Sequence, residues 1–429
     1  MKILLKNSRI LTLKNNNIIN GDVLVIDNKI VKIQKKITEK VDKIIDCENN
    51  LLMPGFKNAH AHSAMVFLRS YSDGFKLDKW LNNIVFPAEK RLKKNDIYYL
   101  SKIAFLEYIS SGITACFDMY FSPEEIKKAS NEIGMRTVIL GLFGENENDI
   151  KGDIREKVSL YKKYNNDDDL VTMLLGFHSE YTISEDKLKE ISKTASELKI
   201  PLYTHCSETI KEIEDSKKKH NGLTPVKYFK KLNIFKYGGG IFHGVFLDEK
   251  DMNILQKNNI FVCTCPASNL KLSSGIADIK KLLKHNINVA VGTDGPASNN
   301  CLDMFREMYL TSVLSKYKEG DPDSIDEFEI LKMATINGAK MLKLEKSLFL
   351  EEGSFADLIM IDLKQPNMQP INDIVKNIVY SGNKMNIKMT MINGKILYYD
   401  KKFYLNEDIE KLYQKCKIIT DRLLLKNKK

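Results

Sequence analysis

At 429 residues, with 43% hydrophobic and 28% charged side chains, the chain is long enough to bury a large core and too apolar to be disordered. No apolar run reaches the roughly 18 to 20 residues of a membrane span, and Met1-Lys2-Ile3-Leu4-Leu5-Lys6 is charged too soon for a signal peptide, so no membrane contact and a cytoplasmic location are expected. A net charge of +10 would suit a nucleic-acid partner, but only 7 of the 66 basic residues are Arg and the lysines are scattered, so no nucleic acid is expected either.

The first fifty residues alternate short apolar runs (3–5, 10–13, 23–26, 30–33) with turn residues, Asn20-Gly21 and Asp27-Asn28, which is hairpin chemistry. Strand-like runs return at 356–362, 374–380 and 388–398, with Asn393-Gly394 as a turn. Residues 1–53 and 346–400 are therefore expected to form one small β-sandwich domain from both termini, with the central piece inserted between them. From 54 to 345 the pattern changes to apolar strands separated by amphipathic helices, one of them opening at Ser122-Pro123-Glu124-Glu125 with Ser122 as cap. Strands are expected at 114–118, 136–142, 171–177, 201–204, 240–242, 260–263 and 289–292. Such βα alternation predicts an α/β fold, a closed (β/α)8 TIM-like barrel. An open doubly wound sheet is the alternative, but no Gly-x-Gly-x-x-Gly opens a helix. Residues 401–429 read as a C-terminal helix and a lysine-rich tail. The seven cysteines, odd in number and without a Cys-x-x-Cys, read as reduced thiols.

Chemistry collects at the strand ends. His60 and His62 lie two apart after the apolar run at 51–53, and residues two apart on a strand share a face. His178, His205, His243 and Asp294 each follow a predicted strand. In a parallel barrel all strand ends share one rim, so five of the seven histidines and one carboxylate face a common mouth, where a metal of the zinc kind would be catalytic. Taken from spacing alone, Glu208 is a surface carboxylate or a helix-terminal charge, Trp80 a core aromatic and Glu89 an unremarkable acid near a helix start.

Five segments stand out together: Pro54-Gly55-Phe56-Lys57-Asn58-Ala59-His60-Ala61-His62, the stretch from Trp80 to Glu89, His205 with Glu208, Pro266-Ala267-Ser268-Asn269-Leu270-Lys271-Leu272, and Gly292-Thr293-Asp294-Gly295-Pro296-Ala297-Ser298-Asn299-Asn300. In them the chain resembles the amidohydrolase superfamily, and within it the 5′-methylthioadenosine/S-adenosylhomocysteine deaminase family. The resemblance covers nearly the whole chain. It implies one Zn2+ per subunit, with Fe2+ as the other candidate, held by His60, His62, His205 and Asp294. It further implies hydrolytic deamination of an adenine nucleoside, with zinc hydroxide attacking C6 and ammonia leaving. Glu208 would move a proton from water to N1, His243 would steady the attack, and Asp294 would also take up a proton. Trp80 would pack over the nucleoside, Glu89 would grip the ribose hydroxyls, His178 would contact the purine near N3, and Ser298 is a weaker substrate candidate.

The chain also departs from that pattern. Family members that accept S-adenosylhomocysteine use two arginines for its carboxylate, and those positions fall on Leu140 and near Asp153, the latter flanked by Lys151 and Arg155. Nucleosides without that carboxylate are expected to be handled better. A guanine deaminase or another amidohydrolase of nitrogen heterocycles would share the metal shell. A non-catalytic barrel scaffold is the reading from another class. The family often forms dimers or larger homo-oligomers, and no repeat or heptad in this chain bears on assembly.

Overall fold

The computed structural model describes residues 1–71, 73–144, 149–165 and 170–424; the lysine tail beyond 424 lies outside them. Eight strands run in parallel as neighbours in chain order: Phe56–Ala61, Ile113–Asp118, Arg136–Phe143, Val171–Phe177, Leu202–Cys206, Gly239–His243, Ile260–Thr264 and Val289–Val291. The ring closes where the Asp294 N–H donates to the His60 carbonyl at 3.0 Å, giving a parallel bridge between Ala61 and Asp294. Gly292 makes that approach possible, because a Cβ there would sit 2.7 Å from the His60 nitrogen. The barrel is thus built as its alternation predicts, with helices between successive strands.

Side chains plug the interior, so it is a packed core and not a pore. Phe117 meets Tyr203 and Phe242 edge-on at 5.0 and 5.8 Å between ring centroids, and Leu140 is fully buried in the same cluster. The His60 ring rests flat on Phe242, centroids 3.8 Å apart. The polar groups of the rim therefore stand on an apolar floor.

Both termini contribute to a second sheet, nine strands hydrogen-bonded continuously, in which Leu51–Pro54 runs antiparallel to Leu358–Ile361. Alternation along the strand divides its side chains: Leu358 and Met360 pack within the sheet's own core, whereas Ile359 and Ile361 join the core shared with the barrel. Beneath the barrel, Arg136 and Asp357 form a buried two-pronged ion pair at 2.6 and 3.2 Å, and Ser347 and the Asn393 N–H also donate to Asp357. The final helix, Ile409–Leu424, buries Leu412, Ile419 and Leu423.

Four local expectations are corrected. Residues 374–380 form a helix, Ile374–Tyr380, because Asp373 accepts from the Lys376 N–H and the buried positions Ile374, Val375, Ile378 and Val379 repeat at helical spacing. The runs at 3–5 and 10–13 merge into one strand, Lys2–Leu11, with an irregularity between Leu5 and Ser8 where Asn7 adopts φ 56°. Asn20-Gly21 lies within the strand Ile18–Ile26, opposite that irregularity, and makes no turn; Asp27-Asn28 and Asn393-Gly394 do turn their hairpins. Ser122 precedes the helix Pro123–Ile133 in a left-handed conformation, without a side-chain capping bond.

Candidate active site

The imidazoles of His60, His62 and His205 and the carboxylate of Asp294 present one ligand atom each within 4.8 Å of one another. Nε2 of His205 lies 3.1 Å from that of His60 and 3.3 Å from that of His62, while Asp294 Oδ1 is 3.4 and 3.2 Å from the same two atoms. Ligands about 2.0–2.1 Å from a tetrahedral ion stand roughly 3.3–3.4 Å apart, so these spacings fit a central cation. Second partners aim the lone pairs inward: His62 Nδ1 donates to the Met119 carbonyl and His205 Nδ1 to the His178 carbonyl, both at 2.7 Å. Burial drives His60 down to about 3, and burial with the adjoining imidazoles lowers His205 well below the ordinary range, so both are neutral donors. Asp294 is held well below the usual carboxylate range, since hydrogen bonds from His60 and His62 outweigh its burial. Its other oxygen accepts from Ser268 at 2.5 Å and Ser298 at 2.8 Å. The donor set suits a divalent metal ion.

Three side chains of this rim hang from strained backbone. Ser207, His243 and Asp294 all have positive φ (57, 72 and 57°), where strands end and the chain turns sharply. His243 Nδ1 donates to Asn269 Oδ1 at 2.8 Å, which leaves Nε2 facing Glu208 Oε2 at 3.7 Å. Glu208 is buried, and burial raises its carboxyl, a rise that His243 opposes.

A cavity of about 630 Å³, mouth included, opens above these groups. Trp80, Glu89 and His178 line it together with His62, His205, Glu208, His243 and Asp294, and His60 lies beneath it, so the structure gathers nine of the ten side chains in question around one space. Trp80 and Glu89 come from one continuous helical run, Leu77–Trp80, the π turn Leu81–Val85 and Phe86–Glu89, and the π turn rotates the two residues toward the same side. Burial pushes Glu89 up to about 7, against the Tyr120 hydroxyl. Burial likewise lowers His178 to about 3, and Ser179 Oγ lies 3.0 Å from its Nδ1. Ser298 is the exception, turned away from the cavity toward Asp294. Ser268 and Asn269, which hold Asp294 and His243, carried no assigned role in the sequence; their signal was the Pro266-Ala267-Ser268-Asn269 motif directly after a barrel strand.

No Lys or Arg side chain lines the cavity among the described residues. Leu140 points into the barrel interior while Leu142 forms part of the wall, and Asp153 is buried, accepting the Gly144 N–H at 2.7 Å. No described helix is long and apolar enough to cross a membrane.

A parallel barrel with three imidazoles and a carboxylate at its mouth defines a metal-dependent hydrolase. The amidohydrolase family model matches residues 51–397, and the chain belongs to that family. A 5-methylthioadenosine/S-adenosylhomocysteine deaminase of Thermococcus sibiricus is 40% identical over 92% of this chain and 94% of its own length. One from Pyrococcus furiosus is 38% identical over 96% and 99%. The crystal structure of an adenosine deaminase from Xanthomonas campestris with bound zinc superposes with a TM-score of 0.92 at 24% identity, covering 98% of both chains, and so shares the fold. The chain is accordingly a metal-dependent aminohydrolase.

Proposed function

We propose that this chain hydrolyses the 6-amino group of an adenine nucleoside, releasing ammonia and the inosine analogue. The observation that carries the reading is the meeting of the His60, His62, His205, Asp294 quartet with Glu208 and His243 on the floor of one cavity whose wall includes Trp80 and Glu89. We assign zinc to the three-nitrogen, one-oxygen set; Fe2+ takes the same donors. Such an ion supplies Lewis acidity that makes water nucleophilic near neutral pH.

The remaining work falls to the protein's own groups. Glu208 accepts a proton from the attacking water and hands it to purine N1, which makes C6 electrophilic. His243, fixed by Asn269, directs its Nε2 toward the incoming water. Asp294 takes up the second proton and passes it to the departing amine. Trp80 covers the base, His178 faces its N3 edge, and Glu89 accepts from the ribose 2′ and 3′ hydroxyls, a role that a free base leaves unfilled. A wall without Lys or Arg among the described residues offers the carboxylate of S-adenosylhomocysteine no partner, so uncharged 5′ groups are preferred, as in 5′-methylthioadenosine, 5′-deoxyadenosine or adenosine.

The test is ammonia release by metal-loaded protein from 5′-methylthioadenosine, 5′-deoxyadenosine, adenosine, S-adenosylhomocysteine, adenine and guanine. Turnover of nucleosides and not of bases supports the reading. Silence on every nucleoside, with metal bound, overturns it in favour of a guanine deaminase or another heterocycle hydrolase.

A further inference from the structure

Glu208 is held more firmly through its backbone than through its carboxylate. The carboxylate receives one long hydrogen bond, from Ser274 Oγ at 3.3 Å, and stands 3.7 Å from His243. The backbone around it is gripped much more tightly. A second buried acid, Glu212, accepts the Ser207 N–H on Oε1 at 2.8 Å and the Glu208 N–H on Oε2 at 2.7 Å. Ser207 is the left-handed residue (φ 57°) at which the chain leaves the strand Leu202–Cys206, so one carboxylate clamps the turn that aims Glu208.

Glu212 is itself fixed. It lies in the first turn of the helix Ile210–Lys219, where its N–H donates to the capping Thr209 side chain, and its own side chain reaches back past that cap. The far end of the helix is anchored as well: His220, buried and stacked on Tyr228 with ring centroids 3.5 Å apart, meets Glu180 Oε1 at 2.7 Å. Glu180 stands two residues beyond His178, so the helix braces two loops of the cavity at once.

We propose that Glu212 is the positioning residue for Glu208, setting the reach of the proton-carrying carboxylate without touching substrate or metal. The inference rests on the reading of Glu208 given above. Misplacing a proton carrier by a fraction of an ångström acts on the chemical step more than on binding. An amide at 212 can accept only one of the two N–H groups and turns an NH2 toward the other.

The experiment compares metal-loaded wild type with Glu212→Gln, Glu212→Asp, Glu214→Gln and Glu208→Gln, using 5′-methylthioadenosine. For Glu212→Gln, kcat is expected to fall about 10- to 100-fold, the loss typical of a charged hydrogen bond. KM, inhibition by the product and bound metal should stay within about twofold. Glu212→Asp keeps the charge but draws it back by one methylene, and carries the same test if the Gln variant does not fold. Glu214→Gln, exposed on the same helix, should match wild type. Unchanged kcat in both Glu212 variants overturns the proposal, and so does a parallel loss of kcat, KM, metal and Tm, which would make Glu212 a fold element only. Full activity in Glu208→Gln would instead overturn the role given to Glu208.

Discussion

Ser298 donates to Asp294 from four residues further along the chain, its hydroxyl 2.8 Å from Oδ2, so that Oδ1 is left facing His62 Nε2 at 3.2 Å. Ser268 holds the same Oδ2 from the short helix Pro266–Lys271. Such outer partners orient a ligand and raise its basicity, and their loss typically costs about 10- to 100-fold in metal affinity or activity. The double variant Ser268→Ala, Ser298→Ala should show a loss of that size in a chelator competition titration. Unaltered affinity would mean that Asp294 is aimed by its backbone alone.

Protons and metal compete for the same site. In the metal-free protein, burial would lower His62, but the hydrogen bond and charge of Asp294 and the Met119 carbonyl outweigh it, so His62 is raised above 6.5. Apparent metal affinity should therefore climb as pH rises through that value, which calorimetry at several pH values would follow.

Stability without metal has the opposite balance. His60 and His178, lowered to about 3, and His205, lowered well below its ordinary value, are neutral when folded but protonate when unfolded near pH 6.5. Their contribution is present above about 6.5 and is lost as pH falls toward 3. His62 acts in the other sense, its contribution being full below 6.5 and lost as pH rises through its folded value. Buried carboxyls that burial raises to about 7, Glu89 and Glu212, gain stability as pH falls over the same range, so the check is a difference: between pH 7 and 4 the Tm of chelator-treated wild type should fall further than that of His178→Gln, and equal changes contradict the assignment.

Glu89 is raised to about 7 by burial, so its ribose grip should strengthen as pH rises through 7. For 5′-methylthioadenosine, KM is expected to drop across that range, and Glu89→Gln should abolish the dependence while costing about 10- to 100-fold in kcat/KM. A KM that is the same at pH 6 and 8 argues against Glu89 as the diol acceptor.

Arg136 and Asp357 join the barrel to the terminal sheet. Arg136 and Lys57 together outweigh the burial that would raise Asp357, and keep it below the ordinary carboxylate value. Its stabilisation is present above about 3.9 and is lost as pH falls through the lower folded value. Arg136→Met leaves a buried charge without its main partner and should cost about 3–5 kcal/mol in urea unfolding, much of it recovered when Asp357→Leu is added. No recovery in the double variant would show that the Ser347 and Asn393 bonds carry the joint.

Much of the barrel was legible because a parallel strand buried on both faces is a short continuous apolar run, and seven such runs after the first stand within a few residues of the observed strands. The helix at Ile374–Tyr380 was hidden because β-branched residues dominate it, and only the cap at Asp373 and the tertiary packing reveal its period. Asn20-Gly21 misled for a related reason: turn propensity is local, and pairing with Lys2–Leu11 overrides it.

By itself the sequence determined the ligand types, their places at strand ends and the family, since strand alternation and short motifs are local properties of the chain. Tertiary structure alone decided that Ser298 serves Asp294 and not the cavity, that Asn269 fixes His243, and that Glu212 clamps the turn before Glu208. These are contacts of backbone and side chain across loops whose direction depends on positive φ at Ser207, His243 and Asp294. Non-glycine residues hold such angles only where surrounding packing enforces them, and that packing comes into being when the barrel closes.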